Sequence, residues 1–404
     1  MTFRRKIPAV LAALAGFVLL FSAAAPASAA PGLGIKKVAK AVQPTSLSSP
    51  PGYPRLMFVT GRIGKVWVLR PSGWQKGPLL DVSKRTDPLM IERGLLGLAL
   101  APDFRKTGRF YIYFTRRDGD AMVEEYRTIP GRPGVLQPGS RRTILRIPRV
   151  HELSNHNGGH LEFRGDQLYI SVGDGNDPGD LANLAQNPAS LRGKILRIDP
   201  RKDPVSGRPY RIPAGNPFVG IPGRDEVFAM GLRNPHSFNF STSSDGTSMM
   251  SIYDVGQSRF EELNYLPIAA ALGANFGWND YEGFEPYNCG ELCPNGADPL
   301  ISTGLAWPQL VYSHDDGCAV IGGPAISDPG MPSVRGRIIY GDFCANRVST
   351  AAPDTPTITD VKPAGFFMPP GKDRHPAMNG FGVDGLKRVY VFSNFGEIYR
   401  IFQK

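Results

Sequence analysis

The chain has 404 residues, with 46 Lys and Arg against 36 Asp and Glu and a formal net charge of +10. Its basic residues are scattered among acidic ones and do not form one stretch with interleaved aromatic residues. This distribution predicts a solvated basic surface and no nucleic-acid partner.

The N-terminus has the pattern of a secretory signal. Arg4–Lys6 precedes an apolar run, Ile7–Ala25, and Ala27–Ala29 has the small-x-small sequence that signal peptidase needs. A membrane anchor is the alternative, but a proline and a glycine interrupt the run. We predict a signal peptide over residues 1–29 with cleavage after Ala29, a secreted or extracytoplasmic location, and no stable membrane insertion afterwards. Losing three positive charges lowers the net charge from +10 to +7.

Four cysteines in an exported chain are expected to form disulfides, because oxidising conditions let such bonds persist. They are Cys289, Cys293, Cys318 and Cys344, and three pairings are possible. We favour Cys289 with Cys293, which lie in one loop, and Cys318 with Cys344, which flank a predicted pair of strands. The absence of a Cys-x-x-Cys sequence disfavours a soft-metal site.

The rest of the chain is predicted to be a linker followed by one all-β domain. Residues 30–54 are rich in Ser and Pro and poor in large apolar residues, which predicts a flexible linker. Residues 55–404 contain no second linker and no long amphipathic helical window, but many short β-rich runs separated by turn residues. These runs are Leu56–Thr60, Phe110–Thr115, Gln167–Val172, Lys194–Ile198, Val227–Met230, Met250–Val255 and Val389–Ser393.

A hairpin-like unit recurs at both ends of this domain. Phe58–Thr60 leads to Gly64–Leu69, and Tyr390–Phe392 leads to Gly396–Ile401 at the same spacing. A ring of such units, a β-propeller, buries the sheet faces and leaves no long exposed edge, and the matching ends indicate that both help to close it. A β-sandwich would also explain the strands, but it explains the repeat less well.

A third copy of the unit is interrupted. It begins at Tyr169–Ser171 and resumes at Gly193–Ile198, so Gly173–Arg192 is inserted between the two strands. Long insertions between paired strands tend to be functional, which makes this segment a candidate part of the site.

The densest polar cluster, Asn155–His160, lies just before this interrupted unit. Its glycines allow a ligand to approach the backbone closely, and His156 suits a general base if a carboxylate such as Asp174 orients it. The alternative is that both histidines are turn residues that cap strands. Zinc binding by His156 and His160 is disfavoured, because two glycines between them make a helix improbable.

The insertion also carries oxygen donors, Asp174, Asn176, Asp177 and Asp180. They favour calcium over magnesium, although their spacing is not that of an EF-hand. The alternative is an ordinary Asx-rich turn.

Three further polar clusters also lie at strand ends. Arg233 and Asn234, ahead of a proline, can present a cation and an amide to an anionic ligand, although a surface arginine in a turn is the alternative. Asp254–Gln257 is followed by Glu261–Asn264, and Glu92–Gly97 adds another charged pair before a strand. Their shared position indicates one site.

The order of these motifs resembles the glucose/sorbosone dehydrogenase family. The segments that carry the resemblance are Glu92–Gly97, His156–His160, Gly173–Gly175, Gly193–Asp199, Gly231–Pro235, Asp254–Gln257, Glu262–Asn264, Gly273–Trp278, Tyr312–Cys318 and Gly341–Cys344. The resemblance implies a six-bladed β-propeller that holds pyrroloquinoline quinone and Ca²⁺ and oxidises aldose sugars. The same family fold includes the hedgehog-interacting proteins, whose propellers bind partners, and the cysteine-bearing segments resemble that branch.

The resemblance also implies roles for single residues. His156 matches the base that takes the sugar hydroxyl proton, and Asp174 matches the acid that orients it. Arg233 and Asn234 match groups that contact the quinone oxygens, so that a cation stabilises charge on the reduced cofactor.

Other positions match calcium ligands or depart from the family pattern. Gly256 and Gln257 match residues whose carbonyls hold a catalytic calcium, and Glu262 matches a ligand of a structural one. Arg93 stands where the best-known members carry an amide, and Ala345 stands where a lysine is expected. The segment 375–380 also lacks the expected arginine pair. The cations that can replace these basic residues are Arg93, Lys372 and Arg374.

The function that follows is oxidation of the anomeric hydroxyl of an aldose, with hydride passing to the quinone and electrons leaving to an external acceptor. The alternative is a non-catalytic secreted propeller that binds a carbohydrate or protein ligand.

Overall fold

The computed structural model describes residues 32–88, 92–150, 155–175, 179–287, 304–345, 347–354, 357–365 and 377–404. Some predictions concern positions outside the described residues, namely the signal peptide with its cleavage site, Asn176, Asp177, Cys289, Cys293, Lys372 and Arg374.

The regular secondary structure of the described chain is almost entirely β-strand, as predicted. The first strands are β1 (Leu33–Lys40), β2 (Pro44–Ser48), β3 (Met57–Gly61), β4 (Lys65–Arg70), β5 (Gly73–Trp74), β6 (Leu80–Asp81), β7 (Leu95–Leu100), β8 (Arg109–Thr115), β9 (Ala121–Ile129), β10 (Arg132–Leu136), β11 (Arg142–Ile147), β12 (Leu161–Arg164), β13 (Gln167–Val172) and β14 (Lys194–Ile198). The others are β15 (Val227–Met230), β16 (Pro235–Thr242), β17 (Ser248–Asp254), β18 (Phe260–Pro267), β19 (Tyr281–Glu282), β20 (Glu285–Pro286), β21 (Leu310–Ser313), β22 (Val320–Ala325), β23 (Ile338–Asp342), β24 (Val348–Asp354), β25 (Thr357–Gly365), β26 (Met378–Val383), β27 (Val389–Ser393) and β28 (Glu397–Gln403).

The helices are short. Among the described residues they are α1 (Phe104–Thr107), α2 (Ile268–Ala271) and a 3-10 turn, Pro332–Val334. Within the described ranges, no helix is long and apolar enough to cross a membrane.

The strands form successive sheets along the chain. β7–β11, β12–β15 and β22–β25 each form one sheet, and β16, β17, β18 and β21 form another. A nine-stranded sheet contains β1–β6 and β26–β28, and its two halves are connected by a single parallel pair, Ser48 with Val383. Both ends of the chain therefore help to close the fold, as the matching hairpins predict.

The prediction of a flexible linker over residues 30–54 is wrong, because β1 and β2 lie within it and the folded domain begins before residue 55. β1 pairs with β28 from Leu33 to Lys40, and β2 pairs with β3. Leu33 and Leu47 are buried. These two strands are difficult to recognise in the sequence, because β1 is a largely exposed outer strand and β2 contains Ser and Pro. Backbone pairing defines them more than apolar side chains do.

A closed cycle of inner strands surrounds the centre of the described structure. β2, β7, β12, β16, β22 and β26 contact one another in succession, and β26 returns to β2. They enclose a cavity of about 360 Å³. Apolar side chains fill the space between neighbouring sheets, as where the rings of Tyr111 and Phe163 lie 5.4 Å apart between centroids. The fold is of the β-propeller class, as predicted.

The interrupted hairpin is confirmed, because β13 and β14 pair directly and the insertion Gly173–Arg192 leaves from their ends. The side chain of Lys194, fully buried at the start of β14, holds this insertion together. Its ammonium donates three hydrogen bonds of 2.6–2.8 Å to the carbonyl oxygens of Leu184, Ala185 and Arg192. Burial lowers the pKa of Lys194 to about 7.

Candidate functional site

The structure brings the predicted site residues together at one end of the inner strands. Glu92, His156 and Arg233 lie in the loops that precede β7, β12 and β16, whereas Asp174 and Gln257 follow β13 and β17. Neighbouring strands in the sheets that carry these loops are antiparallel, so the start of one strand and the end of the next lie at the same edge. All five loops therefore meet on one side of the ring.

His156 and Asp174 form a buried dyad. Nδ1 of His156 lies 2.8 Å from Oδ1 of Asp174, and the two residues are 6% and 2% exposed. A carboxylate only accepts hydrogen bonds, so Nδ1 carries the proton and Nε2 presents a lone pair. Nη2 of Arg233 lies 3.0 Å from Nε2 and donates to it. The site thus joins an oriented imidazole to a cation.

Trp278 fixes the other side of the dyad. Its indole Nε1 donates to Oδ2 of Asp174 at 2.9 Å, and the guanidinium of Arg233 lies 5.7 Å from the centroid of its ring. In the sequence, Trp278 stands out only as the last residue of a segment that carries the family resemblance. Because Trp278 is far from Asp174 in the chain, no local pattern links the two residues.

Glu92 ties together the loops that carry the dyad and the arginine. Its Oε2 accepts hydrogen bonds from the backbone N of His156 at 2.7 Å and from Nδ2 of Asn234 at 3.3 Å. Oδ1 of Asn234 in turn accepts from the backbone N of Gly158 at 3.1 Å. His156 has a φ of 44°, which costs free energy in a residue with a Cβ. The Glu92 carboxylate therefore helps to hold the base in a strained backbone conformation.

Arg233 is anchored through both its backbone and its side chain. Oδ2 of Asp254 accepts from the backbone N of Arg233 at 2.8 Å, and Oδ1 accepts from that of Asn234 at 2.7 Å. The guanidinium also donates to Oε1 of Gln257 at 3.0 Å and to the carbonyl of Val255 at 2.9 Å. Burial raises the pKa of Asp254 to about 7, although these two backbone donors oppose the shift.

Gly256 and Gln257, predicted to offer carbonyls to calcium, lie in a turn that Glu282 holds. Oε1 of Glu282 accepts hydrogen bonds of 2.7–3.2 Å from four consecutive backbone N–H groups, those of Gln257, Ser258, Arg259 and Phe260. Burial by itself raises the pKa of Glu282, but these donors outweigh it, and the pKa is lowered. No motif in the sequence points to Glu282, because its partners lie more than 20 residues away in the chain.

Glu262, predicted to bind a structural calcium, lies opposite Asp254 in the pairing of β17 with β18. The backbone N of Gly283 donates to Oε1 of Glu262 at 2.7 Å. Burial, and then the charge of Asp254, raises the pKa of Glu262 well above its usual value. Two neighbouring buried carboxylates repel each other, and a bound cation would relieve that repulsion.

Asp174 and Asp180 were also predicted as calcium ligands, but each carboxylate has protein partners. Oδ1 and Oδ2 of Asp180 accept from the backbone N–H groups of Leu184 and Ala185 at 2.9 and 2.7 Å. This geometry matches the turn interpretation, and both oxygens of Asp174 bind within the dyad network. Burial, followed by the charge of Asp174, raises the pKa of Asp180 to about 7.

Arg93, predicted to bind the cofactor, lies in a buried ion pair. Its Nη1 donates to Oδ2 of Asp87 at 3.0 Å, and each residue is 7% exposed. The charge of Asp87 therefore balances that of Arg93 in this structure.

The predicted disulfide between Cys318 and Cys344 is confirmed. Asp342 organises the two loops around it, since its carboxylate accepts from the backbone N–H groups of Cys318, Ala319, Cys344 and Ala345 at 2.7–3.1 Å.

Known proteins resemble this chain in sequence and in fold. The HIPL2 protein of Arabidopsis thaliana is 27% identical over 447 residues, which cover 92% of this chain and 63% of that protein. The aldose sugar dehydrogenase YliI of Escherichia coli (strain K12) is 28% identical over 221 residues, which cover 52% of this chain and 54% of that one. The chain thus spans less than two thirds of the length of these curated relatives.

The crystal structure of the soluble aldose sugar dehydrogenase from Escherichia coli in the apo-form has a TM-score of 0.71 to this fold at 21% identity, covering 92% of this chain and 100% of that one. The family model described as Glucose / Sorbosone dehydrogenase matches residues 43–360. Because this match spans most of the chain, the protein belongs to the glucose/sorbosone dehydrogenase family.

Proposed function

We propose that the protein oxidises the anomeric hydroxyl of an aldose to the lactone, with pyrroloquinoline quinone as the bound oxidant and an external electron acceptor as the final partner. The observation that carries this proposal is the buried His156–Asp174 dyad, whose Nε2 lies 3.0 Å from Nη2 of Arg233. A base beside a cation is suited to removing a hydroxyl proton and stabilising the negative charge that develops as hydride leaves.

The chain's own residues have separate tasks. Asp174 keeps the imidazole proton on Nδ1, so Nε2 of His156 takes the proton of the sugar hydroxyl. To take this proton, the lone pair on Nε2 of His156 must first be released by Nη2 of Arg233. Arg233 stays anchored meanwhile, because its Nε and Nη1 donate to Gln257 and Val255. When bound, the quinone supplies the hydride-accepting chemistry that no side chain provides.

The donor set fits both groups that the family resemblance implies. Arg233 and Asn234 offer N–H donors beside the base, as quinone oxygens require. The raised pKa values of Asp254 and Glu262 mark a place where Ca²⁺ would relieve repulsion, next to the turn that carries Gly256 and Gln257. We assign the cation to this region, because the carboxylates of Asp174 and Asp180 already have protein partners.

We also propose that the propeller has six blades and that the protein is exported. The six inner strands support this count if the nine-stranded sheet comprises two blades, one formed by β1 with β26–β28 and the other by β2–β6. Export with cleavage after Ala29 rests on the N-terminal sequence alone. Mass spectrometry of protein recovered outside the cytoplasm tests it, and an intact N-terminus there would contradict it.

Reconstitution tests the enzymatic proposal. Purified protein is incubated with pyrroloquinoline quinone and Ca²⁺, retained quinone is measured by absorbance, and dye-linked oxidation is measured with several aldoses. We expect His156→Gln to lower the rate about 10²–10⁴-fold while quinone is still retained, because only the base is lost. His314→Gln, which changes a histidine outside the dyad, is the matched control and should keep most of the activity.

The result also decides between the two candidate functions. Wild-type protein that retains no quinone and oxidises no aldose would favour a non-catalytic propeller that binds a carbohydrate or protein ligand. Full activity in His156→Gln would instead leave the reaction in place and reject the assigned base.

A further inference from the structure

A second group of titratable side chains lies on the wall of the central cavity. His160 immediately precedes β12, Glu162 lies in β12, and His236 lies in β16. β12 and β16 are neighbouring inner strands that contact each other. The proposed sugar oxidation uses none of these three residues.

The three side chains line the same cavity. Successive side chains of a strand point to opposite faces, so His160 and Glu162 share one face of their strand. The rings of His160 and Phe238 pack edge to face with 4.8 Å between their centroids, so this face meets β16. His236 lies two residues before Phe238, at an irregularity in the pairing of β16 with β17, and it lines the same cavity as His160 and Glu162.

His160 and Glu162 are spaced as two ligands of one metal ion. Nε2 of His160 lies 3.6 Å from Oε2 of Glu162, which is too long for a hydrogen bond. Oε2 of Glu162 is buried and has no hydrogen-bond partner among the described residues. Two ligands bound at ~2.0–2.2 Å to a tetrahedral ion lie ~3.3–3.6 Å apart.

His236 offers a further nitrogen donor. Its Nδ1 is buried and accepts or donates no hydrogen bond within the described part of the chain. Such a nitrogen costs free energy until it finds a partner. A neutral imidazole presents such a nitrogen as a lone pair that a metal ion can take.

We propose that His160, Glu162 and His236 bind a divalent transition-metal ion, Zn²⁺ by preference, in the central cavity. Two imidazoles and one carboxylate form a ligand set that Zn²⁺ accepts, and the cavity leaves room for water as the fourth ligand. In this structure the donor atoms of the three side chains do not all lie within 4.8 Å of one another, so metal binding requires His236 to move toward the His160–Glu162 pair. Because the ligands come from two neighbouring sheets, the bound ion stabilises the folded protein by linking β12 to β16.

Titration of the full, tag-free and chelator-treated protein with Zn²⁺ tests this site. Calorimetry should give one ion per chain, and the melting temperature should rise with Zn²⁺. Glu162→Gln and His236→Ala should each lower the affinity by about 100-fold or more, since even outer-shell partners of a metal contribute ~10–100-fold. His314→Gln is the matched control. Nε2 of His314 lies 2.7 Å from Oε1 of Glu261, and His314 does not line the cavity, so this substitution should leave the Zn²⁺ affinity unchanged.

Three results would overturn the proposal: no one-to-one binding to wild type, unchanged affinity in both cavity variants, or loss of binding in His156→Ala, which would move the metal to the dyad. Melting curves without metal establish that each variant is folded. If His236→Ala does not fold, the near-isosteric Glu162→Gln decides the question, and the absorption spectrum of bound Co²⁺ reports whether its coordination has changed.

Discussion

The disulfide between Cys318 and Cys344 allows a quantitative prediction of stability. The perturbation is the double substitution Cys318→Ala with Cys344→Ala. The bond closes a loop with a sequence separation of 26, and the loss of chain entropy in the unfolded state predicts a contribution of ~3.5 kcal/mol at 25 °C. For a folded unit of this size, that loss corresponds to a fall in melting temperature of ~4–5 °C.

The native loops should survive the substitution. Asp342 accepts hydrogen bonds from backbone N–H groups on both loops, and these bonds do not need the sulfur atoms. The effect should therefore arise in the unfolded chain, whose ends are no longer held together. Sugar oxidation and quinone retention should change little below the melting temperature.

Calorimetry and denaturant unfolding of oxidised protein measure the effect. The matched control is Cys289→Ala with Cys293→Ala, which removes the other predicted bond. That bond closes a far shorter loop, so its removal should cost only ~2 kcal/mol. A loss below about 1 kcal/mol for the Cys318 and Cys344 pair, or a larger loss for the control, would refute the loop-entropy argument.

Three further perturbations follow from the site and its supports. In steady-state assays, Glu92→Ala should lower kcat for aldose oxidation about 10- to 100-fold with little change in KM, because the backbone N–H of His156 loses its acceptor. Glu92→Gln keeps an oxygen acceptor and should recover most of the rate. In cation-free protein the melting temperature should fall as the pH rises from about 4 through 7. In this pH range the raised pKa values of Asp254 and Glu262 make the folded state bind more protons than the unfolded state. Asp254→Asn should flatten this dependence and Ca²⁺ should restore the melting temperature at pH 7, whereas a flat wild-type profile would contradict the shifts. Lys194→Met should lower the free energy of unfolding in urea by ~3–5 kcal/mol, because three buried carbonyl oxygens lose their donor, and a loss under about 1 kcal/mol would show that they find other partners.

Local patterns in the sequence determined the strands and the order of the site motifs. Four predicted strands, β13, β14, β15 and β27, have the predicted bounds, because short runs of β-branched and aromatic residues between turn residues are recognisable without their neighbours. The opened hairpin around Gly173–Arg192 was predictable for the same reason. His156, Asp174 and Arg233 were identified as one site from their shared position at strand ends.

Tertiary structure decided which other groups complete the site and where the domain begins. Glu92, Trp278 and Glu282 act through contacts with residues distant in sequence, and no local spacing encodes such contacts. β1 is defined by pairing with the far end of the chain, so its own mostly exposed residues resemble a linker. The pairing of two buried carboxylates across β17 and β18 likewise depends on strand register. Composition and short-range periodicity report which residues prefer to be buried, whereas strand pairing and ring closure set which buried groups meet.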